Sequence, residues 1–227
     1  MTHEREGLSR TRPRVVAAGL FIAIACVSAM AQGPTPTTTS SKADPYETLV
    51  TKLKAGETRI DYRALRRGYP ALKDADGAGS DHLVRRTMNV ALAEKRFQDT
   101  IKIAEGILAT VFISPDTHAA LASAYAELGD AKKAAAHRAI YLGLINSVLA
   151  EGNGESPATA YQVVTIEEIF AVMRALNLSV WGRGNVVQDA KWYEVISATD
   201  QKTGSVVKLH FNIDIPRSIQ ARATAAK

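Results

Sequence analysis

The chain has 227 residues, 46% hydrophobic and 22% charged, and its 28 Lys and Arg against 23 Asp and Glu give a net charge of +5. That is apolar material for one or two small globular domains. Arg5, Arg10, Arg12 and Arg14 supply part of the excess near the N-terminus, and the remainder is too evenly balanced for a nucleic-acid-binding face, which needs clustered basic charge.

In chain order, the first element is a leader. Arg10, Arg12 and Arg14 precede the apolar run "VVAAGLFIAIACVSAMA", which ends on the small residues of Ala29-Met30-Ala31. A positive stretch, a short apolar segment and small residues at −3 and −1 make a secretory signal peptide, predicted over 1–31. The run falls short of the roughly 20 residues of a spanning helix, so the expectation is no membrane span after cleavage and a periplasmic or secreted protein. Cys26, the sole cysteine, lies inside this run and leaves with it. The alternative is lipoprotein processing at Cys26, although Ala23 stands where such signals carry a large aliphatic residue. Residues 32–44 are polar and proline-rich and read as a flexible linker.

Residues 45–150 read as helical. Asp44-Pro45 is a cap followed by proline at the first helical position, and Leu49, Val50 and Leu53 share one face before Gly56. Asp61 opens a second short helix with Tyr62, Leu65 and Tyr69, halted by Pro70. A glycine-rich loop leads to four helical segments between His82 and Leu149. They form two pairs that align at a shift of about 34 residues, the tetratricopeptide period. Met88 then corresponds to Ala122, Ala91 to Tyr125, Thr100 to Ala134, Ala104 to Arg138 and Ile107 to Tyr141. The pairs Arg66-Arg67 and Arg85-Arg86 read as solvated helix faces.

Residues 151–217 change period. "EGNGESPATAYQVV" raises the question of a phosphate loop. No Gly-Lys-Ser/Thr follows, and the segment comes after a helix and before a strand, the reverse of the P-loop order. Gly152, Gly154, Ser156 and Pro157 therefore read as a structural joint, with Gly152 closing the preceding helix in a left-handed conformation. A helix follows, with Ile169, Phe170, Met173 and Leu176 on one face. "LSVWGRGNVVQDA" is glycine-broken and in part strand. "KWYEVISATD" and "SVVKLHFNIDIP" alternate around "QKTG" as a hairpin ended by Pro216. Residues 218–227 read as a tail with little to bury. The fold class expected is α+β: a tetratricopeptide-like helical stack followed by a small antiparallel sheet with one helix.

Chemistry is sparsely signalled. His82, His118, His137 and His210 show no metal-ligand spacing and read as surface or packing residues, and no nucleophile elbow appears. Metal and cofactor are both expected to be none. Glu167 and Glu168 point about 100° apart on a helix, so they cannot face one substrate bond; they place negative charge at a helix N-terminus. Asn212 and Asp214, with Tyr193 and Glu194 on the neighbouring strand, are the candidate binding residues, or else groups that tie the strand end by local hydrogen bonds.

From Tyr46 to Pro216 the chain resembles an exported bacterial family catalogued as a domain of unknown function. The resemblance is carried in order by the helical part, the joint "GNGESPATA", the Glu167-Glu168 helix, "YEV" and the terminal "FNIDIP". Gly152, Gly154, Ser156, Pro157, Ala160, Glu167, Glu168, Tyr193, Asn212, Asp214 and Pro216 match its pattern. Where that family often carries a histidine, in a "GHSYDV" block, this chain has Lys191-Trp192. The resemblance brings no activity. The function expected is a non-catalytic module of the bacterial cell envelope with an unknown protein or peptide partner; the alternative is an envelope hydrolase acting at the joint.

Overall fold

Residues 44–77, 79 and 81–225 are described by a computed structural model. The predicted signal peptide, Cys26 and nearly all of the 32–44 linker lie outside them. Helix α1 (Pro45–Lys54) starts as its sequence demands, with Asp44 Oδ1 accepting from the Tyr46 N–H at 2.8 Å. Helix α2 (Tyr62–Gly68) is capped by Asp61, which accepts from Ala64 N. Four helices follow: α3 (His82–Ala93), α4 (Phe97–Leu108), α5 (Pro115–Glu127) and α6 (Ala131–Leu149).

The turns joining α3 to α4 and α5 to α6 are copies of one another. Lys95 and Gly129, 34 positions apart, both have left-handed backbones, with φ of +59° and +80°. Arg96 N donates to Ala91 O at 2.8 Å, and Asp130 N donates to Tyr125 O at 2.9 Å; Lys95 N bonds Leu92 O as Gly129 N bonds Ala126 O. These bonds satisfy carbonyls that a helix end leaves without partners.

After α6 come β1 (Tyr161–Gln162), α7 (Ile166–Ala175), β2 (Leu178–Gln188), β3 (Lys191–Asp200), β4 (Val206–Asn212) and α8 (Asp214–Ala225). The architecture is α+β, as expected, but the sheet is mixed rather than antiparallel. Its order is β1-β4-β3-β2, with β1 parallel to β4 and the other pairs antiparallel. The glycine-broken segment is a full strand of 11 residues, bulged at Trp181, where the register with β3 shifts. The 218–227 tail is corrected too. Asp214 opens a helix, Pro216 sits in its first turn, where proline is tolerated, and Ile219 is buried.

The core has three regions. Tyr46, Leu53, Leu65 and Tyr69 pack with Ile113, Ile140, Leu144 and, from α8, Ile219. Ile145 and Val148 of α6 pack with Ile169, Val172 and Met173 of α7 and with Ile196, Leu209 and Phe211 of the sheet. Met88, Ala104, Ile107, Leu121 and Tyr125 join α3, α4 and α5. Helix α6 contributes to the first two regions, so the helical part and the sheet share one spine.

Candidate functional site, a groove on the last helical pair

Helix α5 lies in the furrow between α3 and α4 and buries Met88, Ala91, Thr100, Ala104 and Ile107. At the 34-residue shift, the same furrow recurs between α5 and α6. It is an open groove of about 630 Å³ lined by Ala119, Ala122, Ala126, Ala134, Ala135, Arg138 and Tyr141, with Gly129 at its end. Small side chains let a neighbouring backbone approach closely. Helix α7 takes part of this place. It covers α6 from Tyr141 to Leu149 and is held to α5 by the Arg174–Asp116 ion pair. The stretch from Ala131 to Arg138 is left uncovered. Leu142, at the groove's edge, is 45% exposed. Burial pushes the Tyr141 phenol up, with Asp116 adding to the rise and Arg174 opposing it. Arg138, the counterpart of Ala104, makes no ion pair among the described residues.

Helix α7 is fixed by buried ion pairs that sequence reasoning missed. Arg66, expected in solvent, is 1% exposed. Its Nε donates to Glu168 Oε1 at 2.7 Å and its Nη2 to Glu168 Oε2 at 2.9 Å, while Nη2 also donates to Gln162 O at 2.7 Å. Glu168 accepts from Val164 N at 2.8 Å as well. Glu151 pairs with Arg66 and Arg67 at 3.3 and 2.6 Å. Glu167 turns the other way, accepting from Ser114 Oγ and pairing with Arg85 Nη1 at 3.0 Å. The two glutamates thus brace α7 against two different parts of the helical stack. The signal available in the sequence was only their 100° divergence, which does not name their partners.

The structure does not gather Tyr193, Glu194, Asn212 and Asp214 into one cleft. Tyr193 and Asn212 are register partners on one face of the sheet. Glu194 is on the other face, opposite Phe211, buried and ion-paired with Arg183; the pair is close but off the hydrogen-bond direction, so Oε1 accepts no hydrogen bond. Asp214 is in α8, not on the strand. It accepts from Trp192 N at 2.8 Å and from Asn212 Nδ2 at 3.2 Å, and its own N–H donates to Asn212 Oδ1 at 3.0 Å.

At the joint, Gly154 rather than Gly152 has the left-handed backbone, with φ +73°. Its carbonyl oxygen accepts from His210 N at 2.7 Å and lies 3.0 Å from the His210 ring Nδ1. Gly152 is required by close approach instead: a Cβ there would lie 2.3 Å from Thr159 O. Asn153 N and Gly154 N both donate to that same oxygen, at 3.1 and 2.8 Å. Ser156 and Thr159 close the turn through their hydroxyls.

Fold and groove together define an α+β domain whose helical half ends in a partly covered helix pair. The chain belongs to the family described as Domain of unknown function (DUF4919), whose sequence model matches residues 41–222. No curated protein and no solved structure matches the chain.

Proposed function

We propose that the chain is an exported interaction module of the bacterial envelope whose α5/α6 groove receives an amphipathic helix of a partner protein. The helix pairs are read as tetratricopeptide-like units, in which each pair's furrow takes the first helix of the next. The observation that carries the reading is the equivalence of the two furrows: the α3/α4 furrow holds α5, while its 34-residue counterpart is only partly taken by α7. The uncovered part accepts about two turns of helix. Arg138 stands at the end of it nearer α7, so the partner helix presents small apolar residues with one carboxylate, toward that end, facing the guanidinium.

Export rests on the Arg10–Ala31 pattern and is checked by N-terminal sequencing of the mature protein, with Gln32 expected first. The groove is tested by selecting binders from a library of helical peptides and mapping the winners by amide chemical shifts. The expected winners shift Ala122, Ala126 and Ala135, carry an acidic residue, and lose affinity for Ala135→Arg and Arg138→Glu. Winners that map elsewhere, or that ignore both substitutions, would overturn the proposal.

A further inference from the structure

On the face of α6 turned away from the groove, His118 and His137 meet. His118 is fully buried. Its Nε2 lies 2.9 Å from the carbonyl oxygen of Phe112, and its Nδ1 lies 3.0 Å from Nδ1 of His137. A carbonyl oxygen can only accept, so the single proton of a neutral His118 sits on Nε2 and its Nδ1 is bare. Burial keeps the ring neutral, drawing its pKa down to about 3. His137 must then donate from Nδ1, and a neutral His137 carries its lone pair on Nε2. The contact between the two rings therefore assigns both tautomers.

The His137 ring stacks on Tyr125, with centroids 5.7 Å apart and planes at 6°. It lines a cavity of about 430 Å³ between α1, α5 and α6. Lys54, Lys132 and Lys133 stand around this cavity, Lys54 Nζ 5.8 Å from the Phe112 ring and Lys133 Nζ 4.8 Å from the Tyr125 ring. Asp130 offsets one of the three charges through Lys133 at 3.6 Å. Leu53 and Ile140 supply an apolar wall.

Three ammonium groups call for an anion, but an oxyanion alone would set its lone pairs against the lone pair of His137 Nε2. The ligand that satisfies both has a hydrogen-bond donor beside its negative charge. We propose that this cavity binds the carboxylate end of an acylated amino acid: the carboxylate among Lys54, Lys132 and Lys133, the adjacent amide N–H donated to His137 Nε2, and an apolar side chain against Leu53 and Ile140. A free N-acyl amino acid and the C-terminus of a peptide share this chemistry. The site uses none of the groove residues and stands or falls independently of the groove.

The test is a two-bond nitrogen–proton correlation spectrum of the histidine side chains in the full mature chain near neutral pH. N-acetyl-leucine, N-acetyl-leucinamide and the tripeptide acetyl-Gly-Gly-Leu are titrated in turn. The free protein is expected to show protons on His118 Nε2 and His137 Nδ1. N-acetyl-leucine is expected to shift His137 Nε2 saturably, with the uncharged amide about tenfold weaker. Lys54→Gln and Lys132→Gln, both at exposed positions, are expected to weaken the acid and leave the amide unchanged. Tighter binding of the tripeptide assigns the source to a peptide end, and tighter binding of the acetyl amino acid assigns it to a small molecule. A proton on His137 Nε2 in the free protein, an equal response to acid and amide, or indifference to both lysine variants would overturn the proposal.

Discussion

At Arg66 a single side chain closes the space between α2, the end of α6 and α7. It is a buried cation with a bidentate carboxylate partner and a backbone carbonyl, so its energetics are asymmetric. The intact pair contributes little over a well-packed apolar pair, but removing one member leaves an uncompensated buried charge. Arg66→Met is expected to cost about 3–5 kcal/mol in denaturant unfolding, and Arg66→Met with Glu168→Leu to recover most of it. Equal losses in the single and double variants would show that the hydrogen bonds to Gln162 O and Val164 N, not the charge balance, dominate. The joint glycines give a second residue-scale test, because Gly154 has a left-handed backbone against a side chain whereas Gly152 sits against a fixed backbone carbonyl. Gly154→Ala places a side chain in a left-handed backbone, for roughly 1 kcal/mol, and sets a Cβ 2.6 Å from the Tyr161 ring, a side chain that can turn aside. Gly152→Ala drives a Cβ into the Thr159 carbonyl, and its cost is expected to be the larger, about 2 kcal/mol or more. Thermal melts of the two variants side by side decide the order.

For the helices, the informative comparison is between positions that share a place in the repeat. Ala104 is fully buried beneath α5, whereas its counterpart Arg138 is exposed; Met88 is fully buried, whereas its counterpart Ala122 lines the open groove. Repeat position alone predicts that Ala122→Trp overpacks a helix contact. With α7 covering only the far end of α6, the extra bulk at Ala122 has open groove to enter. Ala122→Trp is therefore expected to change stability by about 0.5 kcal/mol or less, and Ala104→Trp to cost about 1–3 kcal/mol or more. Matching losses at both positions would mean that the groove is filled in solution.

Across the molecule, the buried histidine makes stability depend on pH. His118 has a folded pKa of about 3, below the usual value near 6.5. Above about pH 6.5 the ring is neutral in both states and contributes no pH dependence. Below it the unfolded chain takes up a proton that the folded chain refuses, so stability falls steadily until the pH reaches about 3. The groups facing the His118 ring are His137 from α6 and the ring and carbonyl of Phe112; His137 in turn faces Lys133 from α6, Glu105 from α4 and the Tyr125 ring from α5. His137 is also drawn down by burial, so it adds to the loss in the same direction. Between pH 8 and pH 5, His118 alone is expected to remove about 2 kcal/mol. Urea unfolding of the wild type and His118→Gln at both pH values checks this: the variant's stability should fall by that much less, and parallel losses would refute it.

By itself the sequence determined the local elements. Asp44 and Asp61 mark helix starts because a side-chain oxygen satisfies N–H groups a few residues away. The 34-residue turn pattern, the β3–β4 hairpin and the α+β class were legible for the same reason, since each depends on neighbours close in the chain. Which charges are buried was decided only by the tertiary structure. Arg66 and Glu168 stand 102 residues apart, and an arginine on a short helix carries the same local pattern whether it meets solvent or a carboxylate. The parallel pairing of β1 with β4, the burial of Ile219, and the meeting of His118 with His137 are likewise long-range. So is the open groove: its lining was visible in the repeat, but its vacancy follows from where a ten-residue α7 comes to rest, and that is set by packing between elements rather than by any local period.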